Sequence, residues 1–408
     1  MRHPDSILRL TRLLLLIALS VAGSGCYYMQ AAAGHWELMR KREPIAEVIG
    51  DSDTSTELKD RLRLVQAARQ FSIEELALPD NESYRSYADI EREFVVWNVF
   101  ATPEFSLEAK RWCFPVAGCV SYRGYFSRDA AIRESERLAR DGYDVAVGGV
   151  SAYSTLGNFN DPVLSSMMNW DDIQLVGVLF HELAHQVLYI RGDSGFNESF
   201  ATAVEEFGLE RWLASMGRPE DIEIYRQRRQ LRQDLMTLVA RARDDLRVTF
   251  AAAVEDDEMR RLKALRLERL AEDMRSTLTR AGRKSASWLN VELNNARIVS
   301  MTLYEGWLPS FRSLLARCEQ DIQCFYDRAK ELAQLDAAER DARLEALAGR
   351  QALGCPRGFD KQQLIGQPAQ FAGHAPVKNG LCGEHSLDVF ARLIERNVFD
   401  PNARVDGS

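Results

Sequence analysis

Several features that would assign this 408-residue chain to a common class are missing. Beyond the first residues there is no apolar run long enough for a membrane span. There is no basic patch, and the net charge of −8 argues against a nucleic-acid partner. No Cys-x-x-Cys pair occurs, which disfavours a thiolate metal site, and there are no internal repeats. The remaining composition, 46% hydrophobic and 27% charged, is that of a soluble globular protein with one large core or two linked domains.

Residues 1–25 have the pattern of a targeting segment. A positively charged start precedes an apolar core, Leu13–Ala22, which is too short to cross a bilayer comfortably, and small residues lead to Cys26. The segment resembles a bacterial lipoprotein signal, which predicts cleavage before Cys26, acylation of this cysteine and membrane attachment through the lipid. Gly23 stands where such signals usually carry Leu, so a plain secretion signal is the alternative. Tyr27 after the cysteine favours the outer membrane, facing the periplasm.

Apart from Cys26, the sequence contains six cysteines. An even number in an exported chain predicts disulfides, although six cysteines allow 15 pairings. Their spacing suggests local pairing, with the candidate pairs Cys113/Cys119, Cys318/Cys324 and Cys355/Cys382.

The periodicity predicts an α+β fold that is mostly helical. Residues 94–100 and 143–153 are rich in β-branched and aromatic side chains or alternate in polarity, as strands do. Residues 219–282 contain no internal proline or glycine, which predicts a long arm of two helices. Further strands are expected at 112–116 and 120–126, with a turn at Gly118-Cys119, and a helix at 127–140. The predicted organisation is a main domain over 26–350, with a small mixed sheet within 92–160, a helix pair within 171–216 and the arm, followed by an irregular extension over 351–408.

Residues 181–185 have a pattern that is typical of a catalytic metal site. His181 and His185 are four residues apart, so on a helix their imidazoles lie on one face, and Glu182 can reach the same cavity. This is the His-Glu-x-x-His pattern, in which two imidazoles hold Zn²⁺ and the carboxylate activates water. Asp171 and Asp172 suit the start of the helix as N-cap and first-turn acids, and Gly192 is placed to end it. The alternative is a helix that carries two structural histidines.

A third ligand is expected from the next helix. Residues 191–195 form a short connection, so the two helices should be antiparallel neighbours. Glu198 then lies opposite His185 and is the preferred ligand. Glu205 lies level with His181; it is either the ligand instead or a residue that orients His181.

His-Glu-x-x-His followed by Asn197-Glu198-x-x-Ala resembles the gluzincin metallopeptidases, in which the second Glu is a zinc ligand. A narrower resemblance covers about residues 27–350. The segments 197–202, 149–157 and 112–118 are similar to the predicted aminopeptidase family of bacterial envelope lipoproteins. This resemblance implies a zincin-like helix pair and the zinc-dependent removal of N-terminal residues from peptides.

Three further residues are candidates for the site. In gluzincins the strand corresponding to 143–153 is the sheet edge along which the substrate lies, and Tyr153 at its end is a candidate substrate-binding residue. The reaction also needs a donor for the oxyanion, and Tyr304 and Arg297 lie in a segment that resembles the family, with Arg297 also a candidate for binding substrate. Both could instead be structural. The strand lacks the Glu with which one aminopeptidase group captures a free α-amino group, which leaves exopeptidase specificity in doubt.

The sequence therefore predicts a zinc peptidase in which His181, His185 and Glu198 hold the ion and Glu182 is the base. An aminopeptidase is preferred. The alternatives are an endopeptidase acting on envelope proteins and a non-catalytic envelope scaffold with a structural zinc.

Overall fold

The computed structural model describes residues 27–114, 118–157, 159–283, 293–302 and 306–349. The predicted signal segment, Cys26, Tyr304 and the predicted extension 351–408 lie outside these ranges. Most of the described residues are helical and the strands are short, which confirms the predicted α+β class. Within this part of the chain, no helix combines the length and hydrophobicity needed to cross a bilayer.

The elements in chain order are α1 (residues 27–40), β1 (Arg42–Pro44), α2 (Ile45–Gly50), α3 (Thr56–Glu74), β2 (Ser86–Ala88), β3 (Val96–Pro103), β4 (Trp112–Phe114), β5 (Gly118–Val120), β6 (Arg123–Tyr125), α4 (Arg128–Arg140), β7 (Tyr143–Val150), β8 (Val163–Leu164), α5 (Asp172–Val187), α6 (Ser194–Ser215), α7 (Pro219–Phe250), α8 (Asp256–Arg280), α9 (Asn295–Thr302), α10 (Leu308–Arg317), α11 (Ile322–Ala333) and α12 (Ala337–Leu347).

The described strands form three small sheets rather than the single one predicted. The largest has the order β6-β3-β7 and is antiparallel throughout, with Val96 opposite Val150 and Pro103 opposite Tyr143. The second, β1-β2-β8, pairs β2 with β8 in parallel. In the larger sheet β7 is an edge strand, because no described strand pairs with its outer side.

The third sheet corrects the prediction for residues 112–126. A turn was expected at Gly118-Cys119, but β5 begins at Gly118 and pairs with β4. Cys113 and Cys119 face each other in this pair and form a disulfide. The two residues expected to form a turn therefore lie in a strand that is cross-linked to β4.

Two of the predicted local disulfides are present. Besides Cys113–Cys119, the structure has Cys318–Cys324, which joins the end of α10 to the start of α11. Cys355 and Cys382 lie outside the described residues.

The N-terminal helix α1 is fixed against β6 and the residues after it. The Gln30 side chain donates to the Gly124 carbonyl at 3.3 Å and accepts from the Phe126 N–H at 3.1 Å. At Gly34 an added Cβ would lie 2.1 Å from Cγ of Phe126, so only glycine fits between the helix and this ring. Leu38, one turn further, is fully buried.

The predicted pair of long helices corresponds to α7 and α8, which are joined by residues 251–255. They pack on each other and on α9 around their own apolar cluster, which includes Leu235, Leu246 and Met274. This arm is attached to the largest sheet by Lys263, whose ammonium donates to Asp144 at 2.7 Å. The apolar side chains of the arm therefore form a second core.

Candidate metal centre

The helix that carries the paired histidines is held firmly at its N-terminus. Asp171 is the N-cap of α5 and accepts from the Gln174 N–H at 3.0 Å. Its other oxygen pairs with Arg228 of α7, and Asp172 in the first turn pairs with Arg61 of α3, both at 2.5 Å. Carboxylates suit the positive end of the helix dipole. From residue 175 to residue 185 every position is buried, so the register of the helix is fixed by the core.

Helix α5 ends earlier than predicted. Its last residue is Val187, and Leu188 is already extended, with φ −152° and ψ 125°. Gly192, the predicted end, lies in the following turn, with φ +83°. The reason is Asn197: its Oδ1 accepts from the Ile190 N–H at 2.7 Å and its Nδ2 donates to the Ile190 carbonyl at 2.8 Å. This side chain satisfies the backbone of the connection in place of a further helical turn.

The start of α6 is also secured. Asp193 is its N-cap and accepts from the Phe196 N–H at 3.1 Å. The other carboxylate oxygen of Asp193 receives Nε and Nη2 of Arg340 in α12, at 3.0 and 2.7 Å. Arg340 is itself buried and also donates to the Leu335 carbonyl at 2.9 Å. The first turn of α6, which contains Glu198, is therefore held from two directions.

Three possible ligand atoms converge between the two helices. The Nε2 atoms of His181 and His185 lie 3.1 Å apart. Nε2 of His181 lies 3.2 Å from Oε2 of Glu198, and Nε2 of His185 lies 3.6 Å from Oε1 of the same carboxylate. The three residues are buried, with exposed fractions of 1%, 6% and 7%.

These separations fit a single metal ion. In a tetrahedral site with bonds of about 2.0–2.1 Å, two ligand atoms lie about 3.3–3.4 Å apart. The observed values of 3.1, 3.2 and 3.6 Å, the last two to different oxygens of Glu198, are close to this spacing, and one ligand atom from each residue lies within 4.8 Å of the others. Among the described His, Cys, Asp and Glu side chains, this is the one group of three that could hold a metal ion. Two imidazoles and one carboxylate form a donor set that leaves one tetrahedral position for water or substrate.

Glu205 contacts the opposite nitrogen of His181. Its Oε2 lies 3.0 Å from Nδ1, on the side of the ring away from the ligand group. A hydrogen bond from Nδ1–H to this carboxylate leaves the lone pair of Nε2 directed at the other two ligands. Gly177 of α5 makes room for the arrangement, because an added Cβ would lie 3.1 Å from Oε1 of Glu205. Of the two predicted roles, the position of Glu205 corresponds to orienting His181.

Glu182 is buried on the same helix, with 8% of its surface exposed. Its charge acts on Asp161, a fully buried residue in the segment after β7. The pKa of Asp161 is raised to about 6: burial is the largest cause, Thr155 opposes it by donating to the carboxylate, and the charge of Glu182 adds to the rise. Two buried carboxyl groups thus lie close enough to influence each other. No local sequence pattern points to Asp161, because its burial depends on segments far apart in the chain.

Tyr153 belongs to the neighbourhood of this acid pair. Burial raises its pKa to about 12, and the charge of Asp161 contributes. The Tyr153 hydroxyl lies 3.4 Å from Nδ1 of His35 in α1, and its ring lies beside Phe126. His35 therefore contacts a candidate substrate-binding residue.

The position of the other two candidate residues, Arg297 and Tyr304, relative to the three possible ligands follows only from their neighbours. Arg297 lies on α9, which packs against β7 and α7, and burial lowers its pKa to about 10. The structure does not describe Tyr304, but it does describe Trp307. The Trp307 N–H donates to Ser199 at 3.0 Å, next to the ligand Glu198.

A model of the family described as "Putative aminopeptidase" matches residues 26–344. This range is well over half of the 408-residue chain and includes the three possible ligands and Glu182. Searches of curated proteins and of solved structures found no match.

Proposed function

Because this chain belongs to the putative aminopeptidase family, we propose that it is a zinc-dependent peptidase, in the first place an aminopeptidase, of the bacterial cell envelope. The observation that carries the proposal is the convergence of His181, His185 and Glu198 at the spacing of a tetrahedral ion. The helix pair that brings them together supports a zincin-like site of the gluzincin type.

His181, His185 and Glu198 would hold the ion through Nε2, Nε2 and the carboxylate. Bound there, Zn²⁺ would lower the pKa of a coordinated water towards neutrality and polarise the scissile carbonyl. The contribution of the protein is orientation: Glu205 fixes the His181 ring, while Asn197 and Asp193 fix the start of the helix that carries Glu198.

Glu182 is the general base in this proposal. It follows His181 directly on α5 and is buried, so its carboxylate is shielded from bulk water. It accepts a proton from the attacking water and transfers it to the leaving amine nitrogen. The charges of Glu182 and Asp161 repel each other, which favours proton uptake by one of the two carboxylates.

The outer edge of β7 is the proposed platform for the substrate backbone. An extended peptide can add to an exposed strand edge through main-chain hydrogen bonds. At Val145 a side chain already occupies this edge, because Asn294 donates to the Val145 carbonyl at 2.9 Å. The segment from Ala146 to Val150 would then receive the peptide, and Tyr153 lies just beyond its end.

Tyr304 is the proposed oxyanion donor. Support comes from the chain around it, since three residues of chain span at most about 10 Å and Trp307 is bonded next to Glu198. Arg297 is the alternative donor and a possible substrate contact, and its lowered pKa of about 10 still leaves it charged at neutral pH.

Two alternatives differ from this proposal in defined ways. An endopeptidase would use the same ligands and base, and cleavage of N-blocked peptides would identify it. A scaffold with a structural zinc would need a closed shell of four protein ligands, whereas the described part of the chain offers a group of three. The three-ligand group favours catalysis.

The decisive experiment compares Glu182→Gln with the parent protein and with Glu210→Gln, a control on the partly exposed side of α6. We expect all three proteins to bind one zinc ion, and Glu182→Gln to lose about 10²–10⁴-fold in turnover of unblocked peptides because the base is absent. Zinc content is measured by mass spectrometry and turnover by release of the N-terminal residue. Normal hydrolysis by Glu182→Gln would refute the mechanism, and loss in both variants would refute the assignment to this residue.

A further inference from the structure

Helix α1 has an apolar face that points away from the protein. Its exposed positions are 28, 29, 32, 33 and 36, which lie on one side of a helix. They are Tyr28, Met29, Ala32, Ala33 and Trp36, and we refer to them together as the α1 face.

Among the described residues of the N-terminal half, the two most exposed large apolar side chains both belong to the α1 face. Met29 is 65% exposed and Trp36 is 70% exposed, and Tyr28 adds a further aromatic ring at 41%. Phe159, 53% exposed, extends the surface from another segment, since its ring lies 4.6 Å from that of His35 in the same helix. Single exposed apolar residues are common, but a contiguous group of this kind marks an interaction surface.

No charged side chain interrupts the α1 face between positions 28 and 36. The next exposed position along the helix is Arg40. An apolar stripe with aromatic residues that ends in a basic side chain is typical of a helix lying in a membrane interface. There Trp and Tyr occupy the headgroup level, and the long arginine reaches the lipid phosphates.

The α1 face is too small for a stable contact with a second copy of the chain. Eight residue steps make it about 12 Å long, and a helix is about 10 Å wide. A specific protein interface covers about 800 Å² on each partner, several times the area of this face.

We propose that the α1 face lies in the headgroup region of the membrane that carries the protein. This inference rests on the proposed envelope location and on the predicted acylation of Cys26. The helix begins one residue after this cysteine, so the lipid would hold the α1 face at the bilayer surface. At that effective concentration a weak contact is sufficient to fix the orientation of the protein.

The opposite side of α1 determines which part of the protein lies close to the membrane in this orientation. Gln30 and Gly34 pack that side against β6 and Phe126, and β6 belongs to the same sheet as β7. Docking places this sheet about 10 Å from the bilayer, one helix diameter away. Peptides held close to the membrane surface are then the accessible substrate class.

The test uses the full mature chain with Cys26→Ser, so that binding does not depend on the lipid, and vesicles of phosphatidylethanolamine and phosphatidylglycerol. The test variant is M29E/W36E. The matched control is V248E/L265E, which places the same two charges at exposed apolar positions on the arm. Because the contact is weak without the acyl chain, partitioning is measured at high lipid concentration; there we expect part of the parent and control to sediment with vesicles, and M29E/W36E to partition about tenfold less. Thermal unfolding should give the same midpoint for all three.

A second measurement uses the acylated chain in vesicles of brominated lipid. Bromine should quench part of the tryptophan fluorescence of the parent, and W36F should remove this part. Equal vesicle binding of M29E/W36E and the parent, an equal loss in the control, or identical quenching in the parent and W36F would overturn the proposal. A parent dimer that M29E/W36E dissociates would also overturn it, because the α1 face would then be a self-contact. Peptidase activity in solution, measured on the same variants, should be unchanged, so failure of the proposed function is detected separately.

Discussion

The role of Glu205 gives a prediction that separates an orienting residue from a ligand. Its Oε2 lies 3.0 Å from Nδ1 of His181, whereas Glu198 approaches Nε2 of the same ring. We consider three variants: Glu205→Gln keeps a neutral acceptor, Glu205→Leu removes the acceptor, and Glu198→Ala removes a ligand.

The expected losses follow from the hydrogen bond. A bond from Nδ1–H to a carboxylate contributes about 1.5–3 kcal/mol and a bond to a neutral amide about 0.5–1.5 kcal/mol, so Glu205→Gln should weaken zinc binding about fivefold. Glu205→Leu loses the whole interaction, and a loss of about 30–100-fold is expected. Glu198→Ala should weaken binding more than either, because the carboxylate oxygen 3.2 Å from His181 Nε2 is gone.

Competition with a chromogenic chelator measures the three affinities under one set of conditions. The order parent, Glu205→Gln, Glu205→Leu, Glu198→Ala supports the assignment. If Glu205→Leu retained the affinity of the parent, the hydrogen bond would have no function in metal binding. If Glu205→Leu bound zinc more weakly than Glu198→Ala, Glu205 would be the ligand.

Two other predictions concern stability. The pKa of Asp161 is raised from 3.8 to about 6 in the folded protein. Between about pH 4 and pH 6 the native state therefore binds a proton that the unfolded chain has lost. The free energy of unfolding should fall as the pH rises through this window, by about 3 kcal/mol in the limit. Denaturant titrations of the chelator-treated protein should show this slope, Asp161→Asn should flatten it, and an equal slope in that variant would be evidence against Asp161 as its source. Arg340→Met should lower the free energy of unfolding by about 2 kcal/mol, because Asp193 is left partly buried without its partner. In a double-mutant cycle with Asp193→Asn the losses should not add, and additive losses would mean that the pair is not coupled.

The features that could be predicted from the sequence are those specified by neighbouring residues. The helix with His181 and His185 follows from local periodicity and an acidic start, and the two arm helices follow from the absence of glycine and proline. The two disulfides follow from a spacing of six residues. In each case the information lies within one turn or one hairpin.

The features that could not be predicted depend on distant contacts. The end of α5 was placed at Gly192, since glycine is the usual stop signal, but the Asn197 side chain competes for the backbone of the connection. Asp161 carries no local signal, and its pKa is raised by burial and by Glu182. The role of Glu205 stayed open because only the three-dimensional structure shows which nitrogen of His181 it contacts.

The three ligands are separated by at most 17 positions, and the link between their helices is closed by Asn197 within the same hairpin. Contacts of such short range form quickly in folding, before distant strands find their partners. If the site holds zinc as proposed, the ion would bind this hairpin early in folding and would favour assembly of the surrounding core. Scarcity of zinc would then reduce the yield of folded protein as well as the proposed activity.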